Sequence, residues 1–236
     1  MLTLDDTGER MIPLQVAAED SLTRQLLEHS LERYRKALPY VGGKRVLDIA
    51  CGSGYGSRML LDAGAREVVG VDLSPEAVGY AEATYGCPGL RFVASDAMSF
   101  EGGGFDVITS FETLEHVPDP RLFLATLRSR LGPGGLLLLS ASTVPTSDLY
   151  VFHLHDFDAD ELRRLVREAG LEICDELEQH DRFTPRQVRL ALRLHTGSLP
   201  PSRILRAPLH YLRRGLEVLV LRGLDYRNLL LVCAPA

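Results

Sequence analysis

The stretch Val46-Leu47-Asp48-Ile49-Ala50-Cys51-Gly52-Ser53-Gly54-Tyr55-Gly56 limits what this chain can fold into more than any other part of it. An apolar run of the kind that fills a buried strand ends at Asp48. Three glycines follow within five residues, and Ser57-Arg58-Met59-Leu60-Leu61 then opens a helical pattern. Strand, glycine turn and helix N-terminus form a βα unit whose backbone can approach a ligand closely, because glycine has no Cβ to hold it away. A dinucleotide fingerprint requires G-x-G-x-x-G. Here the glycines fall as G-x-G-x-G, and Ser57 stands where the third dinucleotide glycine would be. Asp48, four residues before the first glycine, would repel a pyrophosphate but suits a ligand bearing an ammonium or hydroxyl groups.

The pattern beyond the turn alternates strand and helix. Glu67–Asp72, Leu90–Ala94, Phe105–Ser110 and Leu136–Leu139 read as strands, separated by helical stretches that begin at Pro75 and near Pro120. Ser74 is placed to cap the first of these, with Pro75 at the first helical position. A further helix starts at Asp158 and is closed by Gly170. Leu171–Glu178 and Asn228–Ala234 read as the last two strands. Before all of these, Leu22, Leu26, Leu27, Leu31 and Tyr34 repeat at helical spacing from Ser21 to Leu38. Asp72 ends its strand about twenty residues after Gly52, where an acidic side chain in a doubly wound fold accepts hydrogen bonds from ribose hydroxyls.

In order and spacing these motifs resemble those of class I S-adenosylmethionine (SAM)-dependent methyltransferases, over about residues 40–178 and the terminal strand at 228–234. The resemblance implies an α/β, doubly wound, Rossmann-like sheet of seven strands. The last strand would be antiparallel and hairpinned to the sixth, with an α-helical insertion between the two. It implies SAM as cofactor, with Asp48, Ala50, Gly52, Gly54, Asp72, Leu73, Asp96, Ala97 and Phe111 around it and Asp96 accepting from the adenine amine. The helix before the first strand would lid the cofactor, with His29 and Tyr34 able to face it, or else be a surface helix with one packed face. Thr7-Gly8-Glu9-Arg10, with Glu28-His29 and Arg33-Tyr34, resembles a bacterial group that modifies carbohydrates or natural products.

Chemistry concentrates in Phe111-Glu112-Thr113-Leu114-Glu115-His116-Val117-Pro118, after the fourth strand. Strand C-terminal ends face the ligand crevice in such sheets. If residues 112–116 form a helical turn, Glu112, Glu115 and His116 share one face. Two carboxylates and an imidazole left unpaired are costly, whereas a divalent cation would satisfy them. The E-x-x-E-H spacing is similar to the metal site of ubiquinone-biosynthesis and small-RNA O-methyltransferases, which add a histidine in an H-x-F context. His155 of His155-Asp156-Phe157 matches that context, with His153 nearby. That resemblance implies Glu112, Glu115, His116 and His155 around Mg²⁺, Mn²⁺ or Zn²⁺, activating a substrate hydroxyl. Without a metal, His116 or His155 would act as general base, with Glu112 beside them. The remaining alternative is structural, with glutamate capping the turn and histidine packed.

The expected organisation is an arm and lid helix over 1–39, a SAM-binding core of 40–178 plus 227–236, and a helical basic insertion over 179–226. The insertion carries Arg182, Arg186, Arg189 and Arg193 at its start and Arg213, Arg214 and Arg222 toward its end, with Arg227 just beyond it. It reads as a substrate lid gripping a phosphate, as a homodimer or peripheral membrane surface, or as a solvated basic face. A net charge of −6 argues against a nucleic-acid partner. Four cysteines without C-x-x-C spacing, no basic-then-apolar leader and no apolar run of membrane length point to a cytoplasmic protein. The expected activity is O-methylation of a small polar acceptor such as a sugar, nucleotide sugar or natural-product intermediate. The alternatives are metal-free N-methylation of an amino sugar or small amine, a non-catalytic SAM-binding regulator, and a nicotinamide oxidoreductase. Asp48 and the missing third dinucleotide glycine disfavour the last.

Overall fold

The computed structural model describes residues 11–15, 21–145, 152–185, 187 and 224–236. Its centre is a seven-stranded sheet in the order β3-β2-β1-β4-β5-β7-β6. β1 (Arg45–Ile49), β2 (Glu67–Asp72), β3 (Leu90–Ala94), β4 (Phe105–Phe111) and β5 (Leu131–Ser142) pair in parallel. β7 (Leu224–Pro235) lies antiparallel between β5 and β6 (Leu171–Phe183).

Adjacent apolar residues in the parallel strands explain the layering. Successive side chains of a strand point to opposite faces, so Val46/Leu47, Val68/Val69 and Val107/Ile108 each give one residue to each core. Leu47, Val69 and Ile108 pack with Phe123, Leu124 and Leu127 of α4 (Pro120–Arg130) and Leu162 and Val166 of α5 (Ala159–Glu168). Val46, Val68 and Val107 pack on the other face with Tyr34 and Ala37 of α1 (Ser21–Ala37) and Leu60 of α2 (Tyr55–Asp62). Ser74 caps α3 (Pro75–Tyr85) through Ala77 N, as its sequence suggests. Asp119 and Asp158 do the same for α4 and α5.

The β6–β7 ladder is longer than the sequence implies, running from Leu171↔Pro235 to Phe183↔Leu224. Residues 179–183 and 224–226, expected at the ends of a helical insertion, are therefore strand. The unbroken polar run Glu178-Gln179-His180-Asp181-Arg182 hid it: one side of this antiparallel pair is wet, and the position buried on the other side is itself polar, Gln179. The arginine-rich stretch between them and the Thr7–Arg10 arm lie outside the described residues. The extended hairpin holds α1 by polar rungs: Lys36 Nζ to Asp175 at 2.6 Å, Arg33 Nη1 to Gln179 Oε1 at 3.0 Å, and His29 Nε2 to Asp181 Oδ2 at 3.1 Å.

Candidate functional site

A cavity of about 870 Å³ opens beyond the carboxyl ends of β1, β2 and β4. The strand order reverses between β1 and β4, which is where ligands bind in open α/β sheets. Ala50, Gly52, Asp72, Leu73, Asp96, Ala97, Phe111, Glu112 and His116, all singled out in the sequence, line it.

The glycine turn is built by left-handed residues and by one carboxylate. Ala50 (φ 57°), Gly52 (φ 56°) and Gly54 (φ 85°) curl the chain after β1. Asp72 Oδ2 accepts from Gly52 N at 2.8 Å and Oδ1 from Ser74 N at 2.9 Å, so one side chain ties the turns after β1 and β2 together at the cavity wall. Gly54 does not line the cavity. A Cβ there would lie 2.6 Å from Ala81 Cβ and 2.8 Å from the Phe92 ring, so this glycine serves the seating of α2 against α3 and β3.

Asp48 likewise does not reach the cavity. It is completely buried and accepts from Ser57 Oγ at 2.6 Å, Thr109 Oγ1 at 2.7 Å and Tyr34 Oη at 3.2 Å. Burial pushes its carboxyl up to about 6 even though the three hydroxyls work the other way. It supports the turn from behind and is not a direct cofactor ligand in this arrangement, because strand alternation turns its side chain toward α1 and α2.

The segment after β4 also differs from expectation. Only Leu114–His116 forms a short 3₁₀ turn, and Glu112 before it is left-handed at φ 52°, so the shared helical face does not form. Glu112 Oε1 accepts from Ser140 Oγ at 2.8 Å and from the Asn228 side-chain amide. Glu115 is buried away from the cavity, with Oε1 near Ser142 N at 3.3 Å and Oε2 without a partner. Burial first, and then the Glu112 carboxylate, hold the Glu115 carboxyl well above the usual carboxylate range. His155 does not line the cavity: its Nε2 meets Val117 O at 3.0 Å. Glu112, Glu115, His116 and His155 thus point to four different partners, and among the described residues no three metal-ligating side chains converge. The expected metal set does not fit this arrangement.

His116 is the titratable group that remains at the wall. Nδ1 lies 3.2 Å from Phe152 O, and a carbonyl only accepts, so Nδ1 carries the proton and Nε2 the lone pair. Nε2 has no hydrogen bond among the described residues and is not among the buried unpartnered atoms, so it stays accessible on a residue that lines the cavity. Burial lowers this imidazole below its ordinary value, keeping it neutral near pH 7. The His153 ring stands edge-on at 4.7 Å, and burial together with His116 pushes it down to about 4.

Arg33, named in the sequence only as part of a resemblance, and the rim residues Leu122, Phe152 and Leu154 were not among the expected site residues. Arg33 is buried at the wall, where Nη1 donates to Gln179 Oε1 and Tyr226 Oη and Nη2 to Ser30 Oγ, each at 3.0 Å. Its Nε has no partner. Burial by itself opposes the charge, but Glu112 and Tyr226 more than offset that and hold the guanidinium above its ordinary value. No local pattern marks an arginine for burial; beyond Ser30 in its own helix, its partners lie 146 and 193 residues away. Leu73, Leu122, Phe152 and Leu154 are each more than half exposed, and all four line the cavity. Of the lid residues, Tyr34 faces the cavity and His29 faces Asp181.

The methyltransferase-domain family matches residues 21–176. A Mycolicibacterium smegmatis protein named "Probable S-adenosylmethionine-dependent methyltransferase" is 31% identical over 177 residues, covering 72% of this chain and 66% of that protein. A ubiquinone biosynthesis O-methyltransferase of Cereibacter sphaeroides is 32% identical over 177 residues, covering 66% of this chain and 71% of that one. The fold is shared with the N-methyltransferase NodS of Bradyrhizobium japonicum, solved with S-adenosyl-L-homocysteine. The TM-score is 0.62 at 17% identity, with 92% of this chain and 89% of that chain covered. With its motifs, its sheet order and a cavity at the reversal point agreeing, the chain belongs to the methyltransferase-domain family as a class I SAM-dependent methyltransferase.

Proposed function

We propose that this protein transfers a methyl group from SAM to a hydroxyl of phenolic acidity on an acceptor with an apolar body, with His116 as the base. The observation that carries this reading is the neutral His116 ring, fixed by Phe152 O with its Nε2 lone pair on the cavity side.

The cavity wall fits the cofactor. Asp72 is held where ribose hydroxyls would meet it, and Asp96 stands at the next strand end for the adenine amine. The partnerless Nε–H of Arg33 suits the methionine carboxylate, since a guanidinium is the natural partner for such a group. Bound there, SAM supplies an electrophilic methyl carbon whose bonding pair leaves with a neutral sulfur. His116 takes the acceptor's proton at Nε2 as the acceptor oxygen attacks, and the Glu112 carboxylate, which favours charge on this ring, stabilises the imidazolium that forms.

Acidity decides which hydroxyl this base can serve. An imidazole below about 6.5 faces a gap of about 4 units to a phenol near 10, and about 9 to a hydroxyl as weakly acidic as water, with each unit about 1.4 kcal/mol. The rim formed by Leu73, Leu122, Phe152 and Leu154 favours an apolar body over a sugar. Relatives named as O-methyltransferases support oxygen as the target atom.

Methyl-labelled SAM offered with a 4-alkylphenol, the matching aniline and a hexose tests the reading. Label should pass to the phenol, and His116→Gln should cut kcat about 10²- to 10⁴-fold while affinity for S-adenosylhomocysteine stays within twofold. Label passing only to the amine or the sugar would overturn it.

A further inference from the structure

Two segments close on each other at the cavity mouth. One is Glu115-His116-Val117 after β4; the other is Phe152 to His155, on the chain beyond β5. Leu154 N and His155 N both donate to Glu115 O, at 2.8 and 3.3 Å. His116 Nδ1 meets Phe152 O at 3.2 Å, and His155 Nε2 meets Val117 O at 3.0 Å. The exchange is reciprocal, because each segment sends a histidine ring onto a backbone carbonyl of the other. Stacking on Phe157, with ring centroids 5.9 Å apart, steadies the His155 ring.

The two rings have different outcomes. His155 spends a protonated nitrogen on Val117 O, inside the wall and away from the cavity. His116 spends its protonated nitrogen on Phe152 O and keeps Nε2 on the cavity side. Phe152 O is present at that point only while the second segment lies against the first. The two Glu115 O bonds hold its backbone there, and the His155 ring supplies the side-chain bond that completes the seam.

We propose that His155 is a positioning residue for His116, and neither a base nor a metal ligand: by fastening the 152–155 segment to Val117 it keeps Phe152 O in place, which selects the Nδ1–H form of His116 and leaves Nε2 for the acceptor's proton. The inference rests on His116 being the base. It also accounts for a histidine at this position whose ring does not turn toward Glu112 and Glu115.

Long-range ¹H–¹⁵N correlation spectra of the imidazoles, recorded on ¹⁵N-labelled protein saturated with S-adenosylhomocysteine, test it without any acceptor. The wild type should show His116 in the Nδ1–H form. His155→Leu should lose that signature, and His155→Gln, whose amide can still donate to Val117 O, should restore it. With the phenol as acceptor, kcat should follow the same pattern, falling about tenfold or more in His155→Leu and recovering in His155→Gln, with KM little changed. If His155→Leu fails to fold, His155→Ala takes its place in the same comparison. An unchanged Nδ1–H signature in the variant lacking a donor, or an Nε2–H form in the wild type, would overturn the proposal. Full turnover by His116→Gln, with the tautomer still dependent on His155, would instead remove the reading of His116 as base and leave the positioning role standing.

Discussion

Ala50 and Glu112 are each the first residue beyond a strand, β1 and β4, and both are left-handed, with φ of 57° and 52°. The two strands are parallel neighbours at the reversal point of the sheet, so these residues stand side by side on the cavity wall. A left-handed residue with a Cβ costs about 1–2 kcal/mol, and a residue branched at Cβ is worse.

Ala50→Gly removes that cost and should change stability by less than about 1 kcal/mol, as relief of strain offsets added chain entropy. Ala50→Val should lower it by more than about 2 kcal/mol and weaken S-adenosylhomocysteine binding. Urea titrations and calorimetry compare the pair. A valine variant as stable as the wild type would mean that the backbone here relaxes freely.

Gly56→Ala tests the seat of α1 on α2. Its Cβ would fall 1.9 Å from Tyr34 Cζ. That ring cannot step aside cheaply, since it is edge-on to Tyr55 and Phe111 at 5.5 and 5.1 Å and its hydroxyl bonds to Asp48. We expect a loss of about 1–3 kcal/mol. An unchanged urea midpoint would show that the ring has room the packing does not suggest.

Asp48 should leave a pH signature. Its carboxyl sits at about 6 in the fold against an ordinary value of 3.8. Between those values the folded chain holds a proton that the unfolded chain has released, so stability falls as pH rises through the window and levels off above it. The stability of the wild type relative to Asp48→Asn should therefore decline by about 2 kcal/mol from pH 4 to pH 7. Parallel curves for the two proteins would show that Asp48 ionises in the fold as it does in water.

Chelation tests the dispersal of the expected metal donors. His155 is committed to Val117 O, Glu115 lies buried near Ser142 N, and Glu112 is held by Ser140 and Asn228. Dialysis against EDTA should leave methyl transfer within twofold of the untreated rate. A collapse reversed by Mn²⁺ would show that these side chains regroup around a cation.

What the sequence revealed and what it hid follow from how local each determinant is. Gly52 and Asp72 could be brought to one wall from the sequence because they lie twenty residues apart in one βαβ unit, where Gly52 N donates to the Asp72 carboxylate. Asp48 was misplaced because its three hydroxyl donors come from α1, α2 and β4, and their convergence is a tertiary event. The helical reading of 112–116 failed at one dihedral angle, that of Glu112, which no periodicity reports. The role assigned to Arg33 depends on Gln179 and Tyr226, which only the completed hairpin brings to it.

That hairpin gives assembly an order. β7 comes last in the described sequence yet lies inside the sheet, between β5 and β6, and its Tyr226 and Asn228 reach Arg33 and Glu112. A chain emerging from the ribosome can finish β1 to β5 and the glycine turn long before these partners exist. Until they arrive, Arg33 has only Ser30 as an acceptor and Glu112 only Ser140 as a side-chain donor, so the growing polypeptide carries a recognisable nucleotide-type fold with an unfinished wall. A chain stalled or cut before that point should therefore keep the glycine turn yet lack the two partners from β7 that complete the wall.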